Sequence, residues 1–299
     1  MPRGLALGIG AYVLWGLSPL FWKLLDDVSA GDVVANRALW AFVLLVAVQT
    51  GRATWPALRT VVADGRNRLV ALCTATLIAG NWLVFLWAVA EDRVLEVALG
   101  YFINPLVSVL FGVVLLRERM RPAQWVAVAS AGVGVAWFVI QVGSLPWVSL
   151  VLAGTFAVYG LLRKTASFGS IDGLTMETAL MSVGALLFLG VRAAQGAGSL
   201  GAGAPGQTGL LILSGAVTAV PLLLFAESAR SVPLSVVGLL QYLAPTIQFF
   251  LGVWVFDETF DSNRLVGFLF IWAGLAVFVA DGVRSARPPL DRNSVGSSR

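Results

Sequence analysis

A chain of 299 residues with 58% hydrophobic and only 12% charged residues carries too little charge to cover a soluble surface, where about a quarter of residues are charged. Its mean hydropathy of +0.86 makes the bilayer the expected solvent. The net charge of +4 does not point to nucleic acid, because the basic residues are scattered through short loops.

The first apolar run, residues 4–24, is longer than a signal-peptide core, contains Trp15, Pro19 and Lys23, and is followed by no small-x-small cleavage site; it reads as a retained helix. A hydrocarbon core of ~30 Å needs about 20 apolar residues per helix. Ten runs satisfy this: 4–24, 32–50, 69–90, 95–116, 122–141, 144–163, 173–193, 208–229, 233–256 and 263–283. Gly196–Gln207 reads as a flexible Gly/Ala/Pro loop, and Ser285–Arg299 as a disordered tail. With the N-terminus inside, fifteen Lys and Arg fall on the inner side and four (Lys23, Arg93, Arg192, Arg264) on the outer side. That bias predicts both termini to be cytoplasmic, in a multi-pass inner-membrane protein.

A weak repeat runs through the chain at an offset of 140 residues: Pro105 matches Pro245, Gly112 Gly252, Glu118 Glu258, Gly134 Gly274, Phe138 Phe278, Asp32 Asp172 and Phe85 Phe225. Each half would hold five helices, an odd number, so the second enters from the opposite side. The expected fold is all-α, with ten transmembrane helices as two inverted five-helix repeats, 1–142 and 143–284, followed by the tail 285–299. Inverted repeats recur in secondary transporters, where two bundles rock about a midplane site.

The segments AGNW (Ala79–Trp82), LEVALGYFINPL (Leu95–Leu106), YGLLRK (Tyr159–Lys164) and QYLAP (Gln241–Pro245), with the Asp257-Glu258 step after the ninth helix, resemble the RarD proteins. These form a branch of the EamA transporters in the drug/metabolite transporter superfamily. The resemblance covers nearly the whole chain except the tail. It implies an exporter-like carrier in the cytoplasmic membrane with no cofactor, helices 1–4 and 6–9 lining a cavity and helices 5 and 10 outside it. The chloramphenicol label common in that family names a phenotype and not a substrate.

Polar side chains within spans are costly and face a cavity or a partner helix. Asn81 lies mid-way along helix 3, Tyr101 and Asn104 share a face of helix 4, and Gln241 and Tyr242 lie mid-way along helix 9. Pro105 and Pro245 are repeat-mates, and each should free a carbonyl four residues earlier, on Tyr101 and Gln241. Paired kinks with open carbonyls suit a substrate site; the alternative is that the amides only join helices, at about 0.6 kcal/mol each. Among tryptophans within spans or near their outer ends (Trp15, Trp82, Trp87), Trp15 sits deepest and is the one expected to meet an amphiphilic or aromatic substrate. The substrate-binding set is therefore Trp15, Asn81, Tyr101, Asn104, Gln241 and Tyr242.

Arg37 in helix 2 and Glu177 in helix 7 occupy matching repeat positions. Each lies ~6–8 Å deep, but from opposite faces, which separates them by ~15 Å and argues against a direct pair. Arg37 is expected in the outer half of a cavity and Glu177 in the inner half, where it could carry a coupling proton; snorkelling to the headgroups is the alternative. Glu91, Asp92, Arg93 and Glu96 read as a solvated turn, and Glu118 and Glu258 as organisers of the turns that follow them. Ala123, Ala127 and Ala131, with Gly132 and Gly134, form a small-residue stripe suited to internal packing or a homodimer contact.

The chain has one cysteine, Cys73, and no histidine, which removes the intramolecular disulfide, the commonest general base and the commonest metal ligand. No GxxxxGK[ST] phosphate loop occurs. No metal, cofactor, nucleic-acid partner or catalytic residue is expected. The leading reading is a secondary carrier of a small metabolite or drug-like amphiphile. A non-transporting accessory or sensor protein is the main alternative and a membrane-embedded transferase a remoter one.

Overall fold

In hydrocarbon every backbone N–H and C=O must be satisfied within the protein, and a continuous helix does this inside a single segment. The computed structural model describes residues 3–91, 93–142, 146–199, 205–256 and 262–285, and there the regular structure is helical throughout. The elements are α1 (Arg3–Trp22), a 3-10 turn (Lys23–Leu25), α2 (Ala30–Gly51), α3 (Trp55–Ala63), α4 (Gly65–Ala90), α5 (Val94–Val114), α6 (Pro122–Val142), α7 (Trp147–Thr165), α8 (Ser170–Ala194), α9 (Pro205–Ser231), α10 (Leu234–Leu240), α11 (Leu243–Trp254) and α12 (Ser262–Ser285). Asp92, Asp257, Glu258, residues 200–204 of the Gly-rich loop and the tail from residue 286 lie outside the described residues.

Among the described residues nine spans are long and apolar enough to cross a membrane, α10 and α11 counting as one. The remaining long helix, α7, ends in Arg163 and Lys164. The chain is thus a multi-pass helical membrane protein.

Two elements depart from the hydropathy reading. Helix α3, passed over because its nine residues are too short to span, starts with Pro56 in its first turn. It lays Trp55, Leu58 and Val61 on Ala71 and Met176, as a short amphipathic helix does at a membrane surface. The expected ninth span is broken at Gln241 and Tyr242 into α10 and α11. The break precedes Pro245, and the Gln241 carbonyl expected to stand open instead accepts from the Ala244 amide at 3.2 Å. Helix α5 runs unbroken through Pro105, so the two prolines do not make matched breaks.

Contacts between elements obey the 140-residue offset. A Cβ at Gly134 would lie 2.6 Å from the Gly267 carbonyl oxygen, and one at Gly274 would lie 2.7 Å from that of Ala127. Gly134/Gly274 and Ala127/Gly267 are repeat-mates, so α6 and α12 meet reciprocally. Tyr242 donates to the Phe102 carbonyl at 3.2 Å and Ser130 to that of Phe270 at 2.7 Å, each across 140 residues. Helices α6 and α12 pack chiefly on each other, so Ala127 and Ala131 of the small-residue stripe are buried inside the chain.

Candidate functional site

Successive spans alternate in direction, so the bundle has two ends. Lys164 at the end of α7 meets the end of α9, and Gln49 at the end of α2 meets Asp172 at the start of α8. Asp32 at the start of α2 meets Arg192 near the end of α8 at the other end. The two ends are named here by the charge each holds, Arg163 and Arg37.

The Arg163 end is sealed. Glu177 on α8 is fully buried, and Arg163 on α7 is 1% exposed. Arg163 Nη1 lies 3.4 Å from Glu177 Oε1, and Tyr159, one turn earlier on α7, donates from its hydroxyl to Glu177 Oε2 at 3.2 Å. Arg163 Nη2 donates to the Ser170 carbonyl at 2.8 Å, and Ser170 Oγ donates to Glu227 Oε2 at 2.8 Å. A Cβ on Gly173 would sit 1.7 Å from Arg163 Nη1, so only glycine there lets the guanidinium reach its carboxylate. Below the pair, Tyr12, Trp15, Phe156, Tyr159 and Phe225 form a cluster with neighbouring ring centroids 5.2–6.3 Å apart.

The rim of this end is stapled by caps. Lys164 donates to the carbonyls of Ala229 and Val232, and Arg230 to those of Ala166 and Phe168, which satisfies open helix termini. Arg117 takes a left-handed φ of 55° after α5, and the Glu118 amide bonds back to the Gly112 carbonyl at 2.9 Å. Glu118 then accepts from the Leu234 and Ser235 amides at 2.6 and 2.9 Å. It therefore caps α10, which follows it by 116 residues, rather than organising only the turn that comes next. A carboxylate is favoured there because helix N-terminal amides lack partners.

The Arg37 end is different. The Arg37 guanidinium lies 3.9 Å from the Trp82 ring centroid and 5.2 Å from that of Trp22. It is close enough to the Tyr101 hydroxyl to interact electrostatically. Its Nε is buried without a hydrogen-bond partner, and no carboxylate pairs with it among the described residues. Tyr101 on α5 is 48% exposed. Trp22 of α1, Arg37 of α2, Trp82 of α4 and the half-exposed Tyr101 of α5 thus form one group, the Arg37 vestibule.

The expected site residues divide into separate groups. Tyr101 belongs to the Arg37 group, and Trp15 to the aromatic cluster below the Arg163–Glu177 pair. Asn104 and Gln241 are buried and linked through Ser108: Gln241 Nε2 donates to Ser108 Oγ at 3.2 Å, and Ser108 donates to Asn104 Oδ1 at 3.3 Å. With the Tyr242–Phe102 bond they join α5 to the α10–α11 break. Asn81 donates to the Leu152 carbonyl at 2.9 Å and to Thr155 Oγ1 at 2.8 Å, joining α4 to α7. Arg37 and Glu177 do not meet; Glu177 has Arg163, which the sequence reading had counted among inner-loop charges. The overlooked signal was the i, i+4 spacing of Tyr159 and Arg163, which puts both on one helix face. Trp82, set aside in favour of Trp15, is the tryptophan against Arg37.

A profile of the EamA-like transporter family matches residues 2–140. Over 284 residues the chain is 42% identical to Protein RarD of Streptomyces exfoliatus, covering 95% of this chain and 90% of that one. It is 43% identical to an uncharacterized transporter of Pseudomonas aeruginosa (95% and 96% covered) and 38% identical to Protein RarD of Escherichia coli (95% and 96% covered). A solved crystal structure with 18% identity matches at a TM-score of 0.73 over 95% of this chain and 99% of that one, a likeness of fold. Sequence, helical architecture and these relatives agree: the chain is a membrane transporter protein of the EamA-like family, in its RarD branch.

Proposed function

We propose that this protein is a secondary carrier that moves a small organic molecule across the cytoplasmic membrane by alternating access. The observation that carries this reading is the unequal state of its two ends: a partly open vestibule at Arg37 and a sealed, stapled end at Glu177, on repeat-matched residues. Two bundles of similar build can exchange those states by rocking, so that the site faces each side in turn. The reciprocal contacts of α6 with α12 support an inverted pair of five-helix halves with ten spans in all. The bias of Lys and Arg supports cytoplasmic termini, and with that orientation the vestibule faces outward.

Two kinds of polar residue divide the work in this reading. Arg37, Tyr101, Trp22 and Trp82 form the substrate-facing surface. Asn104, Ser108, Gln241 and Tyr242 form the joint at the α10–α11 break on which the halves turn. Glu177 is the coupling group: opening its end breaks the pair with Arg163, and a proton then neutralises the carboxylate left in a low-dielectric interior.

Counterflow of labelled small molecules in proteoliposomes, with and without a pH gradient, tests the reading. A carrier gives saturable, nucleotide-independent exchange. Glu177→Gln should keep exchange while losing acceleration by the gradient. Acceleration that survives in Glu177→Gln rejects this residue as the coupling group, and folded protein that exchanges nothing favours a non-transporting accessory role.

A further inference from the structure

From the Arg37 vestibule we infer the class of substrate: an organic carboxylate with a flat or apolar body. The inference rests on the carrier reading, since it names what the vestibule receives. Arg37 is the eighth residue of α2, so its Cα lies roughly 10 Å along the helix, a depth at which a bare cation is costly. Three buried carboxylates of the described helices each have a cation in the chain. Glu177 has Arg163 at 3.4 Å, Asp32 has Arg192 at 2.9 Å and Glu96 has Arg93 at 2.8 Å. Arg37 has two indoles and a phenol. Cation–π contact offsets part of its desolvation, but the rings accept nothing in the guanidinium plane. The Nε atoms of Arg163 and Arg192 also lack an acceptor, yet each of those guanidiniums has a carboxylate at another nitrogen and Arg37 has none among the described residues.

Two buried carboxylates near the start of α2 and of α5 are directed elsewhere. Asp32 accepts from Ser29 and Arg192. Glu96 is engaged by Arg93. A guanidinium with its faces against rings and its edge unfilled presents two parallel donors, which match the two oxygens of a carboxylate. A single cation in the vestibule fits one negative charge. Trp22, Trp82 and Tyr101 supply the apolar wall for the remainder of such a molecule, because the indole and phenol rings present flat surface with few polar demands. An uncharged amide of the same shape would meet the same wall but leave the cation unanswered, and an amine would be repelled.

The test uses the full-length chain in detergent with phenylacetate as probe, and phenylacetamide and phenethylamine as its neutral and cationic analogues, by titration calorimetry. Phenylacetate should bind saturably and about tenfold or more tighter than either analogue. Arg37→Gln should bring acid and amide to equal affinity, and Arg37→Lys should restore part of the preference. The melting temperature of each variant without probe, expected near that of the parent, shows that the fold is kept. Equal binding of acid and amide by the parent, absence of saturable phenylacetate binding, or a preference that survives Arg37→Gln would each overturn the inference. Acid-selective binding without counterflow in proteoliposomes would leave the carboxylate site standing and remove the carrier. Counterflow of uncharged compounds that Arg37→Gln leaves unchanged would keep the carrier and remove the carboxylate site.

Discussion

Arg37 and Glu177 stand 140 residues apart at matching positions on α2 and α8, yet the protein treats them oppositely. Glu177 is fully buried, paired with Arg163, and held by Tyr159. Arg37 rests on Trp82 and Trp22 with an unpartnered Nε and a half-exposed tyrosine beside it. Glu177 is enclosed with a counter-charge, and Arg37 has only rings for company. The packing differs too: α2 packs more extensively against α9 than its counterpart α8 does against α4. A duplicated fold needs no difference between its halves to be stable; a difference of this kind is what a carrier resting in one of two states would show.

The comparison can be broken most directly at the paired charge. Arg163→Ala leaves Glu177 buried without a counter-charge, so it should cost about 3–5 kcal/mol of stability, read as denaturation in detergent. Adding Glu177→Gln should return much of that loss. Arg37→Ala, tested the same way without ligand, should cost no more than about 1 kcal/mol, the value of its ring contact. Equal losses at the two sites would show that Arg37 has a structural partner and that the asymmetry is only apparent.

Close packing of α2 on α9 gives the next effect. A Cβ on Gly215 would sit 2.3 Å from the Trp40 carbonyl carbon. That atom is backbone and cannot swing away, so Gly215→Ala should destabilise by about 1–3 kcal/mol, measured as a lowered melting temperature. A smaller loss is expected from Glu118→Gln, which keeps the shape of the α10 cap but removes its charge. It should cost about 1 kcal/mol and, if the cap helps to hold this end shut, raise the rate of exchange in proteoliposomes.

Labelling sharpens the picture without altering stability much. Cys73 is the single cysteine and is exposed, so a Cys73→Ser background is needed first. In it, Tyr101→Cys should react readily with a membrane-impermeant maleimide in intact cells, whereas Ala11→Cys, on the buried face of α1 beside Tyr12, should stay unreactive. An unreactive Tyr101→Cys would mean that the Arg37 end is not open to the outer side.

Hydropathy and length alone located the long helices, because a segment in lipid must satisfy its own backbone and therefore announces itself as about 20 apolar residues. The offset of 140 was likewise legible, but that α6 and α12 meet reciprocally through Gly134 and Gly274 is seen only in the structure. The RarD resemblance was readable in the same way, from contiguous motifs such as GYFINPL. Residue-level roles were not. Asn104 and Gln241 could have faced a substrate or each other, and both environments require the same residue type. Their linkage through Ser108 depends on how α5 crosses α10, which hydropathy does not encode.

What the sequence by itself determined about this protein is its solvent, its helices, its internal repeat and its family, since each is a property of contiguous residues or of spacing along one chain. Only the tertiary structure decided which buried charge has a partner. Arg163 reaches Glu177 because Gly173 leaves room for it and because α7 and α8 present those faces to each other. Arg37 is left facing its rings because no carboxylate among the described residues is brought to it. Pairing is a matter of a few ångströms between separate helices, and those distances are set by side-chain volumes packing against one another rather than by any order along the chain.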